Sequence, residues 1–152
     1  MADRNTPYLG FNFTVALSQG GDPGDPIAGF SEVSGLNTEI TVAEYRAGNN
    51  KENHVQKFPA IYKTGDVTCK RGLVKNTDIR DWVEAVRNTG VAAKRPSVIV
   101  TLLDEQHQPV ATWKLISAMP IKFTGPTLTG KGTADVAMEE LVISSERIEF
   151  DF

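Results

Sequence analysis

The arrangement of the chain is decided by residues Phe30–Gly72, which read FSEVSGLNTEITVAEYRAGNNKENHVQKFPAIYKTGDVTCKRG. An alternating segment, Glu39–Tyr45, leads into a polar tip, and a second alternating run returns to Gly72. Two β-prone arms joined by a Gly- and Asn-rich tip predict an extended hairpin over about 39–62. Almost nothing at the tip is apolar. We therefore expect the hairpin to be mobile alone or docked on another molecule, and not folded onto its own core.

The length and composition indicate an ordinary globular chain. Its 152 residues predict one domain, 1–152, with a flexible arm over about 1–7. A net charge of −3 with interspersed signs argues against nucleic-acid binding by a basic surface. No apolar run is long enough to cross a bilayer, and the first residues show no secretory signal. Because Cys69 is the single cysteine, we expect it to be reduced and half-buried in a cytoplasmic protein.

The remaining segments predict strands around one helix. Residues 11–17 alternate, the run 97–104 is apolar on both faces, and 110–119 alternates before a short strand at 121–123. Pro59 cannot donate a ladder hydrogen bond, which predicts an edge or a bulge there. Ile79, Trp82, Val83 and Val86 form the apolar stripe of a helix over about 78–89, with Thr77 or Asp78 as its cap.

The last strands are less well determined by alternation. In the run 135–143, one phase places Val136, Met138 and Val142 with Glu140, and the other places Ala137, Leu141 and Ile143 with Asp135 and Glu139. Both phases stay open. Residues 148–152 alternate to the last position, so we expect them to be paired or docked. The predicted class is mainly β: an antiparallel sandwich or barrel with one helix packed against it and a long protruding hairpin.

The sequence shows no pattern typical of a catalytic, metal or cofactor site. His54 and His107 both lie in polar turn segments, with no cysteine or second histidine at metal-ligand spacing. No nucleophile motif is present, and Glu139 and Glu140 point to opposite faces if their run is a strand. We expect no enzyme and no cofactor.

Several short motifs, in this order, resemble the T4-type tail tube family of contractile phage tails and injection systems. The resemblance covers most of the chain and is carried by 11–15 (FNFTV), 29–36 (GFSEVSGL), 44–48 (EYRAG), 70–73 (KRGL), Trp82, 113–115 (WKL) and 118–120 (AMP). Ala47 is a departure, because the family more often has Gly or another small variant at this position.

The resemblance implies a structural protein. Members form hexameric rings that stack into a rigid helical tube, surrounded by a sheath protein and bounded by baseplate or spike and tail-terminator proteins. DNA or effector proteins pass through the lumen as cargo. It also implies synthesis in a bacterial cytoplasm, assembly into a phage tail or injection particle, and no membrane insertion of the monomer. From the net charge we predict a mildly acidic or mixed lumen wall.

Within this family the hairpin is the expected contact with a neighbouring subunit. The interface residues predicted there are Glu44, Tyr45, Arg46, Ala47, Gly48, Asn49, Asn50, Lys51, Glu52, Asn53 and Phe58. The second-choice ring-stacking contacts are Asp3, Arg4, Ile148, Phe150 and Phe152. Three alternatives stay open: a monomeric β-sandwich binding module, a small enzyme, and a type VI secretion tube. The EYRAG and RGL stretches favour the phage-tail and extracellular-injection branch over the last.

Overall fold

The described part of the chain folds into two antiparallel four-stranded sheets, a protruding two-stranded hairpin and one α-helix. The computed structural model describes residues 5–18, 29–93, 95–132 and 134–152. The strands are β1 (Phe13–Ser18), β2 (Glu32–Ser34), β3 (Thr38–Tyr45), β4 (Gln56–Thr64), β5 (Val67–Gly72), β6 (Ser97–Leu103), β7 (Pro109–Ile116), β8 (Met119–Thr124), β9 (Met138–Ser144) and β10 (Arg147–Asp151). The helix α1 spans Asp78–Thr89, and a 3-10 turn follows at Gly90–Ala92. The mainly β prediction is confirmed.

The first sheet has the strand order β1-β6-β7-β10. Its strand β6 is central, as its apolar character on both faces predicted, and Val98, Ile99 and Val100 are all buried. On the inner face Val15 lies opposite Val100, and Leu115 lies opposite Val98. The C-terminal strand β10 pairs with β7, so the expectation of a paired terminus is confirmed.

The second sheet has the order β2-β5-β9-β8. In β9 the structure selects the second of the two predicted phases: Leu141 and Ile143 face inward opposite Cys69 and Val67. Glu139 shares that phase and is therefore buried as well. Side chains of both sheets and the helix form one core, so the architecture is a sandwich: Val15, Val67, Cys69, Ile79, Val98, Val100, Leu115, Ala118, Leu141 and Ile143.

The helix covers one side of the sandwich through the predicted stripe. Ile79 is fully buried, and Trp82 and Val83 pack against the core. The predicted capping residue was wrong: Thr77 makes no side-chain cap, and Asn76 Oδ1 instead accepts a hydrogen bond from the Asp78 N–H at 2.9 Å. At the other end Gly90 adopts φ +62°, a left-handed value that suits glycine and ends the helix.

The run 110–119 was predicted as one alternating strand, and the structure divides it. Strand β7 ends at Ile116, Ser117 takes φ +54°, and Met119 begins β8 in the other sheet. The correction has a simple cause. One alternating run cannot serve two sheets without a break, and a left-handed residue supplies that break.

The hairpin β3–β4 continues the pairing of β2 with β5. Ser34 faces Thr68 below the junction and Thr38 faces Thr64 above it, with three residues between these pairs on each arm. The register is therefore unchanged, and residues 32–72 form a single long ribbon. Its lower part belongs to the second sheet and its upper part protrudes. A register shift faces Pro59, which confirms the bulge predicted at that proline.

Candidate subunit interface

The protruding hairpin is exposed along almost its whole length. Every residue of β3 is exposed, and in β4 only Thr64 is half-buried. The sandwich strands, in contrast, bury alternate side chains, as β5 does with Val67, Cys69 and Arg71. Since a two-stranded hairpin alone is marginally stable in water, this ribbon lacks the covering surface that such strands need.

The arms of the hairpin carry apolar side chains on both faces. Ile40 and Tyr62 are cross-strand partners on one face, and Ala43 and Phe58 are partners on the other. Ile61 is 74 % exposed and Tyr62 is 69 % exposed in the isolated chain. Exposed apolar side chains on both arms make this ribbon a candidate for a protein–protein contact. A ribbon with apolar groups on two faces is suited to lie between other protein surfaces.

Arg46 holds the polar tip in a defined conformation. Its guanidinium donates to the carbonyl oxygen of Asn50 at 3.1 Å, to the carbonyl oxygen of Glu52 at 3.4 Å and to Asn53 Oδ1 at 3.3 Å. Asn50 Oδ1 in turn accepts from the Glu52 N–H. These hydrogen bonds close the tip into a defined loop in the isolated chain, and its mobility stays a prediction.

The charges of the hairpin arms are arranged in opposite-sign pairs. Glu39 lies opposite Lys63 near the base, and Glu44 lies opposite Lys57 near the tip. Opposite charges directly across an antiparallel pair stabilise the pairing, and like charges there destabilise it. The pairs therefore help to define the register of a ribbon whose faces are not covered by its own domain.

The residues predicted for the interface all lie on the upper hairpin. Glu44 and Tyr45 end β3, residues 46–53 form the tip, and Phe58 lies in β4; all are exposed except the half-buried Ala47 and Asn50. The prediction did not include four exposed apolar residues of the arms: Ile40, Val42, Ile61 and Tyr62. Their alternation marked them as strand residues, but nothing local in the sequence showed that the strands would remain uncovered.

The second-choice contacts are divided between the two termini. Asp3 and Arg4 lie outside the described residues. Ile148 is half-buried opposite Leu115, whereas Phe150 and Phe152 are exposed. The Phe150 ring lies 5.4 Å from Trp113 and 4.7 Å from Phe152, measured between ring centroids. The rings of Trp113, Phe150 and Phe152 thus form a contiguous row along β7 and β10 towards residue 152.

The histidine and cysteine side chains do not converge on one another. In the part of the chain that the structure describes, no group of three His, Cys, Asp or Glu residues is placed to hold a metal ion. His54 Nδ1 lies 3.0 Å from Glu52 at the exposed tip. Burial raises the pKa of the Cys69 thiol to about 12, which keeps it protonated and unreactive at neutral pH. No helix among the described residues is long and apolar enough to span a membrane.

A buried ion pair was not predicted. Arg71 on β5 pairs with Glu139, which lies directly opposite on β9. The guanidinium also donates to the Asn76 carbonyl oxygen at 3.4 Å and lies 5.9 Å from the centroid of the Phe30 ring. The pair links the two central strands of the second sheet to the segment that enters α1. Alternation alone could have placed Arg71 inward, but its partner is 68 residues away.

This fold and its uncovered hairpin can now be compared with known proteins. The model of the T4-like virus tail tube protein gp19 family matches residues 9–149. The chain belongs to this family. It is a tail tube protein, and the resemblance drawn from the short motifs is confirmed. A comparison with curated protein sequences finds no significant match.

Solved structures with the same fold come from contractile injection systems. One is the sheath–tube complex of the extracellular contractile injection system PVC in its extended state, with a TM-score of 0.82 and 21% identity over 97% of this tail tube protein and 93% of that chain. Another is the tube-terminating cap of the anti-feeding prophage, with a TM-score of 0.83 and 19% identity over 99% and 95%. Hcp1 from Flavobacterium johnsoniae is more distant, with a TM-score of 0.51 and 13% identity over 91% and 93%.

Proposed function

We propose that this tail tube protein forms hexameric rings that stack into the inner tube of a contractile injection system or phage tail. The observation that supports this is the long hairpin with apolar side chains on both faces and no covering surface in its own domain. Assembly supplies that surface. The function is therefore structural, and we propose no catalytic role for the chain.

The ring requires a contact between two different surfaces of each subunit. Repeating such a heterologous contact gives a closed ring when six successive rotations bring the sixth subunit into contact with the first. Stacking between rings is open-ended and builds a filament. Closure also pairs sheet edges that are open in the isolated subunit, such as the outer edge of β3. The rigidity of the tube follows from covering these edges.

The hairpin is the proposed element that reaches the neighbouring subunit. The arms contribute Ile40, Phe58, Ile61 and Tyr62 as apolar contact area, and the preformed tip, residues 44–53, contributes polar contacts. A tip that is already ordered loses less conformational entropy on docking. For stacking contacts we propose the exposed aromatic end of β10, with Asp3 and Arg4 as further candidates from the sequence.

The proposed partners follow from the assembly. A sheath protein surrounds the tube, and baseplate or spike proteins and terminator proteins lie at its ends. DNA or effector proteins pass along a mildly acidic or mixed lumen. The similar structures come from sheath–tube, baseplate and terminator particles, which supports this set. We propose synthesis in a bacterial cytoplasm before assembly. The fold is more similar to the extracellular injection system tubes than to Hcp1, which favours that branch over type VI secretion.

A shortened hairpin tests the function. Deleting 47–53 joins Arg46 to His54 and leaves a three-residue loop between β3 and β4, a length that hairpins readily accept. We expect a folded subunit that no longer forms tubes in negative-stain micrographs, whereas Lys51→Gln, a matched change within the tip, still assembles. Normal tubes from the deletion would refute the role of the tip. A wild-type protein that stays monomeric at high concentration would instead support a binding module.

A further inference from the structure

The junction between the buried and the protruding halves of the long ribbon has an unusual construction. The pairing register is the same on both sides, yet three residues on each arm stand between Ser34–Thr68 and Thr38–Thr64. The lower half packs into the second sheet, and only the base of the upper half, at the end of β4, contacts the region of β10 in the described structure. The ribbon therefore changes direction here without losing its alignment.

Two glycines make the change of direction sterically possible. Gly35 has φ +87°, a left-handed conformation, and a Cβ at this position would collide with the Asp66 carbonyl oxygen on the other arm. A Cβ at Gly65 would collide with the side chain of Asn37. The collision at Gly35 is with the backbone of the other arm, so the two arms approach each other more closely there than a residue with a side chain allows, whereas the space beside Gly65 is filled by the Asn37 side chain.

Asn37 connects the two arms at the junction. Its Oδ1 accepts a hydrogen bond from the Gly65 N–H at 2.8 Å, and its backbone carbonyl oxygen accepts from the same N–H at 3.3 Å. The Asn37 N–H donates to the Gly35 carbonyl oxygen at 2.8 Å, which closes a tight turn in the first arm. One side chain thus holds both bends in a fixed relation.

A second anchor ties the hairpin to the body of the domain. Thr64 Oγ1 donates to the Ser145 carbonyl oxygen at 2.7 Å, in the connection between β9 and β10. Thr64 is the half-buried last residue of an otherwise exposed strand, so this bond acts where the hairpin leaves the sandwich. Asn37 determines the bend of the ribbon, and Thr64 determines the side of the sandwich on which the bent ribbon lies.

We propose that Asn37 and Thr64 are positioning residues that determine the direction of the hairpin, and that through this direction they control assembly. The inference rests on the proposed function, because it assigns to these residues the alignment of the surface that meets the next subunit. Neither residue needs to touch that subunit. Their effect is to present the apolar arms at one angle, so that every copy offers the same geometry to its neighbour.

The test uses pairs of substitutions in which one member removes the hydrogen bond and the other keeps it. Thr64→Val removes the hydroxyl and keeps the shape, and Thr64→Ser keeps the hydroxyl. Asn37→Leu removes the acceptor, and Asn37→Asp keeps an acceptor oxygen. Spin labels are attached to cysteines introduced by Lys51→Cys in the tip and Glu84→Cys on the exposed side of α1. Double electron–electron resonance on dilute, unassembled subunit measures the distance between the two labels, which reports the direction of the hairpin. Native Cys69 is buried and is therefore not labelled. Tube formation is followed in parallel as the critical concentration for assembly.

We expect Thr64→Val and Asn37→Leu to broaden the distance distribution and to raise the critical concentration about tenfold or more, which corresponds to a lost orienting hydrogen bond per subunit. Thr64→Ser and Asn37→Asp should resemble the wild type in both measurements. A narrow, unchanged distribution in Thr64→Val and Asn37→Leu would overturn the inference, as would normal assembly despite a broadened one. Failure of the proposed function is distinguishable, because the wild type itself would then form no tubes.

Discussion

Glu139→Gln offers the sharpest test of the energetics of this fold. Arg71 and Glu139 are the two charged residues in the described part of the chain that are buried, and they lie opposite each other in the central pair of the second sheet. The substitution keeps the size of the side chain and removes its charge. Arg71 would then be a buried cation facing a neutral amide, with only the Asn76 carbonyl oxygen and the Phe30 ring nearby.

The expected cost is large because a buried charge without its partner keeps its full desolvation penalty. Removing one member of a buried pair typically costs about 3–5 kcal/mol. For a chain of this length each kcal/mol lowers the melting temperature by about 2–4 °C, so the expected decrease is about 6–20 °C. Replacing both residues, as in the double variant Arg71→Met with Glu139→Leu, removes the penalty together with the attraction and should lie much closer to the wild type.

Urea denaturation followed by tryptophan fluorescence measures these free energies, and the cycle of wild type, Arg71→Met, Glu139→Leu and the double variant gives the coupling between the two residues. Glu140→Gln is the matched control: the residue is adjacent, lies on the other face of β9 opposite Lys70, and is only half-buried. It should change stability by less than about 0.5 kcal/mol. If Glu139→Gln were as mild as Glu140→Gln, the assignment of a buried, mutually dependent pair would be wrong.

Two further predictions concern a core thiol and a pair of surface charges. Burial raises the pKa of the Cys69 thiol from 9.0 to about 12. Above pH 9 the unfolded chain therefore loses a proton that the folded chain keeps. The free energy of unfolding consequently falls as the pH rises from about 9 to about 12. The difference in unfolding free energy between the wild type and Cys69→Ala should therefore decrease by about 1.4 kcal/mol per pH unit in that range, and a constant difference would contradict it. Glu39→Lys places two cations opposite each other at the base of the hairpin and should speed amide hydrogen exchange in β3, whereas adding Lys63→Glu should restore protection. Equal amide hydrogen exchange in the single and double variants would show that the Glu39–Lys63 pair does not stabilise the pairing of β3 with β4.

Much of the fold could be predicted from local patterns. The apolar stripe from Ile79 to Val86 predicted α1 over about 78–89, and the helix spans Asp78–Thr89. The apolar run 97–104 predicted a central strand, and β6 is central. These predictions succeeded because helix and strand periodicities place side chains on faces through covalent geometry alone. The short motifs extended the prediction to the family, which the match over 9–149 establishes.

The candidate interface was predicted only in part. Polarity identified the tip as a segment that does not belong to the core, and the structure places it at the end of an exposed hairpin. The apolar arms were missed because alternation looks the same in a strand that its own domain covers and in a strand that it leaves open. Exposure of Ile61 and Tyr62 depends on where the other sheet and the helix end, and the local sequence does not contain that information.

The sequence by itself determined the alternating arms, the edge or bulge at Pro59 and the helix, because each of these follows from neighbours within a few positions along the chain, and it determined the family through the order of its short motifs. Only the tertiary structure decided the phase of β9, the partner of Arg71 and the direction of the hairpin. These depend on contacts between residues 28, 68 and 81 positions apart: Asn37 with Gly65, Arg71 with Glu139, and Thr64 with Ser145. The physical reason is that local geometry determines which side chains share a face, whereas packing of distant segments determines which face is buried.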